Sequence, residues 1–170
     1  MDKNKIKITI GLLIVIVGVF AFMNRELMKE KGYAHENAQV ILKEGDLEVV
    51  LNHENIINIG QVHFTAILDT STTDPEEHTY TGVPLKKVIE EAGLSLDKKE
   101  IVIVKGVDGY TVALSIEEVL DEENAFLAYA VDGKALKPKN RGGSGPYQLI
   151  VRKDQFSQRW CKFVVEIEVK

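Results

Sequence analysis

Between Ile8 and Met23 the chain runs sixteen residues without a charge, and Thr9 is the only hydroxylated side chain among them. A stretch apolar on every side, at the extreme terminus and behind Lys3, Lys5 and Lys7, is not the amphipathic pattern of a core helix. It reads as a signal sequence or a membrane anchor. At 1.5 Å rise per residue it covers roughly 24 Å, short of a ~30 Å hydrocarbon layer, although Ile6 and a snorkelling Lys7 lengthen it. Signal cleavage requires small residues, and Phe20-Ala21-Phe22-Met23-Asn24 offers bulky ones, so retention is expected and cleavage is the alternative. The positive-inside tendency places the basic head, residues 1–7, in the cytoplasm, against the pull of Arg25, Lys29 and Lys31, which Glu26 and Glu30 partly offset. The expected layout is a cytoplasmic head (1–7), a transmembrane anchor or uncleaved signal (8–23), a polar stalk (24–35) and one extracytoplasmic domain (36–170).

Setting the first thirty or so of the 170 residues aside leaves about 140, the size of a single domain with one core. Hydrophobic residues at 45% and charged residues at 28% exclude a disordered chain. The net charge of -5 comes without any block of five like charges, which argues against a nucleic-acid partner. Cys161 is the only cysteine, so no internal disulfide and no cysteine-based zinc site can form. No cysteine stands directly after the apolar run to accept a lipid, so the peptide itself is expected to be the anchor.

Within the domain, Val40–Leu42 and Leu47–Leu51 flank a Gly45-Asp46 turn and predict a hairpin. Asn52 can cap a short helical turn through Ile59, and Val62–Leu68 alternates as a strand. The polar stretch Ser71–His78, with Pro75, reads as an exposed loop. Pro84 suits the start of a helix whose Leu85, Val88, Ile89 and Ala92 share a face, and Gly93 supplies the stop. Ile101–Val104 and Tyr110–Leu114 form a second hairpin, and Ser115-Ile116-Glu117-Glu118 is a capping box opening a helix to about Leu120. Phe126–Val131 turns at Asp132-Gly133. A glycine-rich loop, Asn140–Pro146, leads into Tyr147–Val151, and Phe163–Val169 is the last strand. Many strands, two or three short helices and no strand-helix alternation indicate an α+β, mostly β domain.

Five blocks carry a resemblance. Tyr80-Thr81-Gly82-Val83-Pro84-Leu85, Asp108-Gly109-Tyr110-Thr111-Val112, Leu127-Ala128-Tyr129 with Asp132–Leu136, Gly145–Val151, and Arg159-Trp160-Cys161-Lys162-Phe163 resemble, in order and spacing, the molybdopterin-binding oxidoreductase domain of the sulfite oxidase family. The resemblance covers most of Leu47 to Lys170 and implies that fold, of bacterial type. It also implies a molybdopterin cofactor, an oxidoreductase or electron-transfer role, and an envelope redox protein as partner. In that family the molybdenum is held by a cysteine thiolate at the end of the strand before the Gly-Val-Pro-Leu helix. Here the matching place is Asp69 to Ser71, with Thr70 the best match, and an un-ionised hydroxyl is a poor substitute for a soft thiolate. Gln148 stands where many members carry a basic residue.

The cofactor-binding candidates are therefore Arg141, Gly142, Gly143, Arg159 and Lys162, joining cationic side chains to loop N–H groups in the way that holds a phosphate, with Thr70 at the thiolate position. Arg141 and Arg159 read equally well as solvated loop charges, and Lys139 reads better as one. Cys161 looks like a core residue. His35, His53, His63 and His78 form no ligand pair, so no metal site is expected from them and no catalytic residue is identified. The alternative function is a binding module that keeps the fold without the metal and takes an anionic small molecule or an envelope protein.

Overall fold

Period-two alternation of apolar residues gives a strand one buried face, as at Ile101–Gly106, where Val102, Val104 and Gly106 are buried and Ile101, Ile103 and Lys105 only partly so. The computed structural model describes residues 10–22, 38–71 and 73–170. Residues 10–22 are helical (α1) with exposed side chains, and no helix among the described residues is long and apolar enough to cross a membrane. The basic head 1–7 and the stalk 24–35 lie outside the described residues.

The domain contains β1 (Gln39–Glu44), β2 (Leu47–Asn52), α2 (His53–Asn58), β3 (Val62–Thr70), β4 (Thr73–Pro84), α3 (Leu85–Glu91), β5 (Ile101–Gly106), β6 (Thr111–Ser115), α4 (Ile116–Leu120), β7 (Ala125–Val131), β8 (Lys134–Ala135), β9 (Gln148–Val151) and β10 (Val164–Val169). One sheet has the order β2-β1-β10-β5-β6, with β10 parallel to β1 and antiparallel to β5. The C-terminal strand is thus the middle of that sheet, which is complete only when the chain end is in place. The second sheet runs β3-β4-β7-β8, and β9 shares the β8 edge of β7. Inward residues of both sheets, among them Val40, Leu42, Val104, Leu127, Leu149 and Ile167, join one core cluster. Each such side chain, fully withdrawn from water, contributes about 1.5–3 kcal/mol.

The helices form where their caps stand. Asn52 accepts from the Asn55 N–H at 2.9 Å while the Asn55 side chain accepts from the Asn52 N–H at 3.0 Å, a reciprocal cap that opens α2. Ser115 and Glu118 do the same for α4. Pro84 is the cap of α3 and not its first residue, because its ψ of 132° is still extended. The polar stretch 71–78 is not the expected loop. From Thr73 onward it belongs to β4, paired with β3 through Ala66↔His78, Ile67↔Glu77 and Leu68↔Glu76. Backbone pairing, which polarity does not reveal, makes it a strand, and Pro75 falls in the irregularity between Leu68 and Thr70 where no ladder N–H is required.

Strand β7 is buried over five consecutive residues, Ala125 to Tyr129, as a strand covered on both faces must be. Its contact with β4 is so close at Gly82 that a Cβ there would lie 2.6 Å from the Leu127 carbonyl oxygen and 2.8 Å from the Ala128 Cα. Both obstacles are backbone and cannot swing aside. Gly82→Ala is expected to lower stability by about 1–3 kcal/mol, read as a lower urea midpoint of the detergent-solubilised chain with unchanged slope; an unchanged midpoint would show that the two strands are not in this contact.

Candidate functional site

A cleft of about 260 Å³ opens where the second sheet meets the glycine-rich loop. Its walls are Leu68 of β3, His78 and Tyr80 of β4, Val131, Asp132 and Leu136 around the β7–β8 turn, Gly142, Gly143 and Ser144 of the loop, Gln148 of β9 and Lys162 ahead of β10. Register explains why four strands deliver these side chains to one face. His78 and Tyr80 are two residues apart on β4, and Leu68 lies across from Glu76, two residues further along that face. Along β4 and β7 the pairs run Tyr80↔Val131, Thr81↔Ala130 and then Gly82↔Ala128, so Tyr129 is an extra residue and the phase of β7 shifts by one. Ala128, and with it its partner Gln148, is thereby brought to the side of Tyr80.

The rim is an oriented pair. His78 Nδ1 lies 2.8 Å from Asp132 Oδ2, and the Thr79 N–H donates to Asp132 Oδ1 at 3.1 Å. The imidazole and then this N–H hold the Asp132 carboxyl below the usual carboxylate range, so it is ionised near neutral pH and is no general acid. Tyr80 is only 3% exposed; burial, with Asp132 adding to it, pushes its hydroxyl up to about 12, so it remains a protonated donor. Its ring packs against Phe64 with centroids 5.8 Å apart and against Trp160 at 5.7 Å.

Gln148 is 4% exposed, yet its amide makes no hydrogen bond to any described residue, and neither does the Tyr80 hydroxyl. Two buried polar heads in one cleft therefore lack partners among the described residues. Neither was singled out from the sequence as a binding group. A signal for Gln148 was present all the same: it is the one polar side chain in the strand run Gln148-Leu149-Ile150-Val151.

The expected candidates do not all meet here. Gly142, Gly143 and Lys162 line the cleft, whereas Arg141 and Arg159 do not. Arg141 is exposed in the 3-10 turn Lys139–Arg141. Arg159 is held by both oxygens of Asp154, with Nε at 2.9 Å from Oδ2, and by Glu118 Oε1 at 2.6 Å. Asp154 and then Glu118 push its pKa up, and Glu118 is also the capping residue of α4, so Arg159 ties the 157–159 turn to that helix. Lys139 stands over the Phe163 ring at 5.5 Å. The loop amides are engaged as well: Gly142, Gly143 and Gly145 donate to the carbonyls of Lys139, Pro138 and Lys137. At Gly143 a Cβ would sit 2.0 Å from the Lys137 oxygen, so that glycine serves loop packing. Thr70 ends β3 two residues beyond Leu68, and the neighbouring Asp69 backbone is clamped by the Ser157 hydroxyl through both its N–H and its carbonyl.

The sequence pattern described as "oxidoreductase molybdopterin binding domain" matches residues 44–170. The chain belongs to that family. The molybdopterin-binding domain is similar in fold to the crystal structure of the sulfane dehydrogenase SoxCD from Paracoccus pantotrophus, with a TM-score of 0.65 and 18% identity. The match covers 80% of this chain and 38% of that one, so the chain spans well under half the length of the enzyme it matches. No curated protein matches the sequence. The sulfite oxidase-like fold expected from the sequence is the fold observed.

The residues present do not fit a thiolate-held molybdenum. Cys161 is fully buried, its Sγ faces the carbonyl oxygens of Tyr110 at 3.7 Å and Lys162 at 3.6 Å, and burial pushes its pKa up to about 12. It is a neutral thiol in the core and does not line the cleft. Among the described residues no three His, Cys, Asp or Glu side chains are grouped to hold a metal ion. Maleimide labelling of the folded chain at pH 8 is therefore expected to be slower by orders of magnitude than in denaturant, where a cysteine titrates near 8.5; equal rates would place the thiol at the surface.

Proposed function

We propose that this protein is a membrane-anchored, extracytoplasmic binding module built on the molybdopterin-binding fold, which takes a small anionic organic ligand in the cleft without a thiolate-held metal. The observation that carries the reading is that the sole cysteine is locked in the core, away from the cleft, and the resemblance, which matches Thr70 to the thiolate position, supports it. The cleft supports it: Tyr80 and Gln148, two polar heads without a hydrogen-bond partner among the described residues, lie in its walls together with Lys162. An anionic end beside Lys162 gains a charge-assisted hydrogen bond, and the ligand body covers Leu68, Val131 and Leu136. The lysine head and the uncharged run Ile8–Met23 support the anchor and its orientation. The family match over residues 44–170 supports a second reading, an oxidoreductase or electron-transfer component that carries molybdopterin and meets an envelope redox partner.

One preparation separates the two. The full chain is expressed in a bacterial host that makes the molybdenum cofactor, and its membranes are washed with alkaline carbonate. The protein is expected to stay in the membrane, to be digested by protease added outside spheroplasts, and after purification to contain no stoichiometric molybdenum. It should bind inorganic phosphate, roughly tenfold more weakly as Lys162→Ala. Stoichiometric molybdenum with a pterin fluorescence signal would establish the oxidoreductase reading instead, and release by carbonate would remove the anchor.

A further inference from the structure

Tyr80 and Gln148 occupy the cleft in a way that packing alone does not explain. Both are more than nine-tenths buried, both lack a hydrogen-bond partner among the described residues, and the phase shift at Tyr129 brings them to the same face of the sheet. A buried amide or hydroxyl left unpaired costs stability, whereas Met or Phe of the same shape would not. The heads are therefore an expense of the fold unless something outside the chain satisfies them. Their chemistry restricts what that is. A glutamine amide presents one acceptor oxygen and two N–H donors in a plane, and the hydroxyl adds a further donor. Asp132, held ionised by His78, also lines the cleft and repels an anion placed beside it.

We infer that Tyr80 and Gln148 are specificity-determining residues that read an uncharged carboxamide or lactam group, –CO–NH–, at the buried end of the ligand. The amide oxygen of Gln148 accepts from the ligand N–H while its NH₂ donates to the ligand carbonyl, and the Tyr80 hydroxyl donates to the same carbonyl. The ligand thus carries its negative charge at the Lys162 end and none at the Gln148 end. This rests on the reading that the cleft takes a ligand.

The test uses the full chain in detergent, with nicotinamide, nicotinate and inorganic phosphate as probes, and follows the Gln148 side-chain NH₂ signals by NMR. Nicotinamide and nicotinate differ only in having a neutral amide or a carboxylate. The expected result is that nicotinamide shifts these signals and binds at least tenfold more tightly than nicotinate. That preference should disappear in Gln148→Met and shrink in Tyr80→Phe. Both variants should melt no lower than the parent, since each loses a polar head with no partner in the fold. If phosphate or nicotinate binds the parent and Gln148→Met alike, with no preference for nicotinamide, the inference falls while the anion-binding module stands. If none of the three binds, both fall. If the variants melt several degrees lower than the parent, the two heads have partners within the protein and the inference is overturned.

Discussion

One extra residue in β7 decides what the cleft can be. Strand side chains alternate between faces, so any two neighbouring strands stay in phase unless a residue is inserted. Between Thr81 and Gly82 of β4 the pairing on β7 jumps from Ala130 to Ala128, and Tyr129 is left over. Without that jump, β9, which pairs with β7 at Ala128, would present Gln148 to the opposite side from Tyr80. With it, Leu68, His78, Tyr80, Val131 and Gln148 converge, and the glycine-rich loop closes over them. The tight approach of Gly82 to the β7 backbone marks the same spot, because the strands are pressed together where the register slips. Bulges of this kind recur beside functional sites, where they re-aim a side chain.

The cationic residues around the cleft divide between structure and binding. Arg159 belongs to structure: Asp154 and Glu118 neutralise it, and through Glu118 it reaches the cap of α4. Lys139 covers Phe163, a residue with φ of 56° at the bend where the chain leaves Lys162 for β10. The Phe163 N–H donates to the Ser144 carbonyl and its own carbonyl accepts from Val107, so the last strand enters fastened to the loop on one side and to the β5–β6 turn on the other. Lys162 sits at that junction and lines the cleft. A domain whose glycine loop, closing segment and central sheet meet at one place has retained the family's architecture. Cys161, the sole cysteine of the chain, lies inside the core and away from that place, so it does not supply there the soft ligand a molybdenum ion requires.

Much of the fold was legible in the sequence for local reasons. Asn52 and Ser115 announced their helices by side-chain chemistry, and turn residues marked the hairpins at Gly45-Asp46, Gly109 and Asp132-Gly133. The family blocks gave the architecture, because their order and spacing survive changes in individual residues. What stayed hidden was set by pairing across the chain. Residues 73–78 are strand through hydrogen bonds to β3 and not through any apolar pattern. Arg159 reads in sequence as a free cation, because Asp154 is five residues away and Glu118 forty-one. Tyr80 and Gln148 belong to one site only after a bulge that no residue type announces.

On the proposed reading, the cleft takes an organic ligand and not a thiolate-bound metal. The most direct measurement is a crystal structure of the full chain purified from a cofactor-producing host, with anomalous data collected at the molybdenum absorption edge. The expected result is density for a light-atom molecule between Gln148 and Lys162 and no anomalous peak near Thr70. An anomalous peak beside Thr70, with pterin density reaching toward the glycine loop, would contradict it.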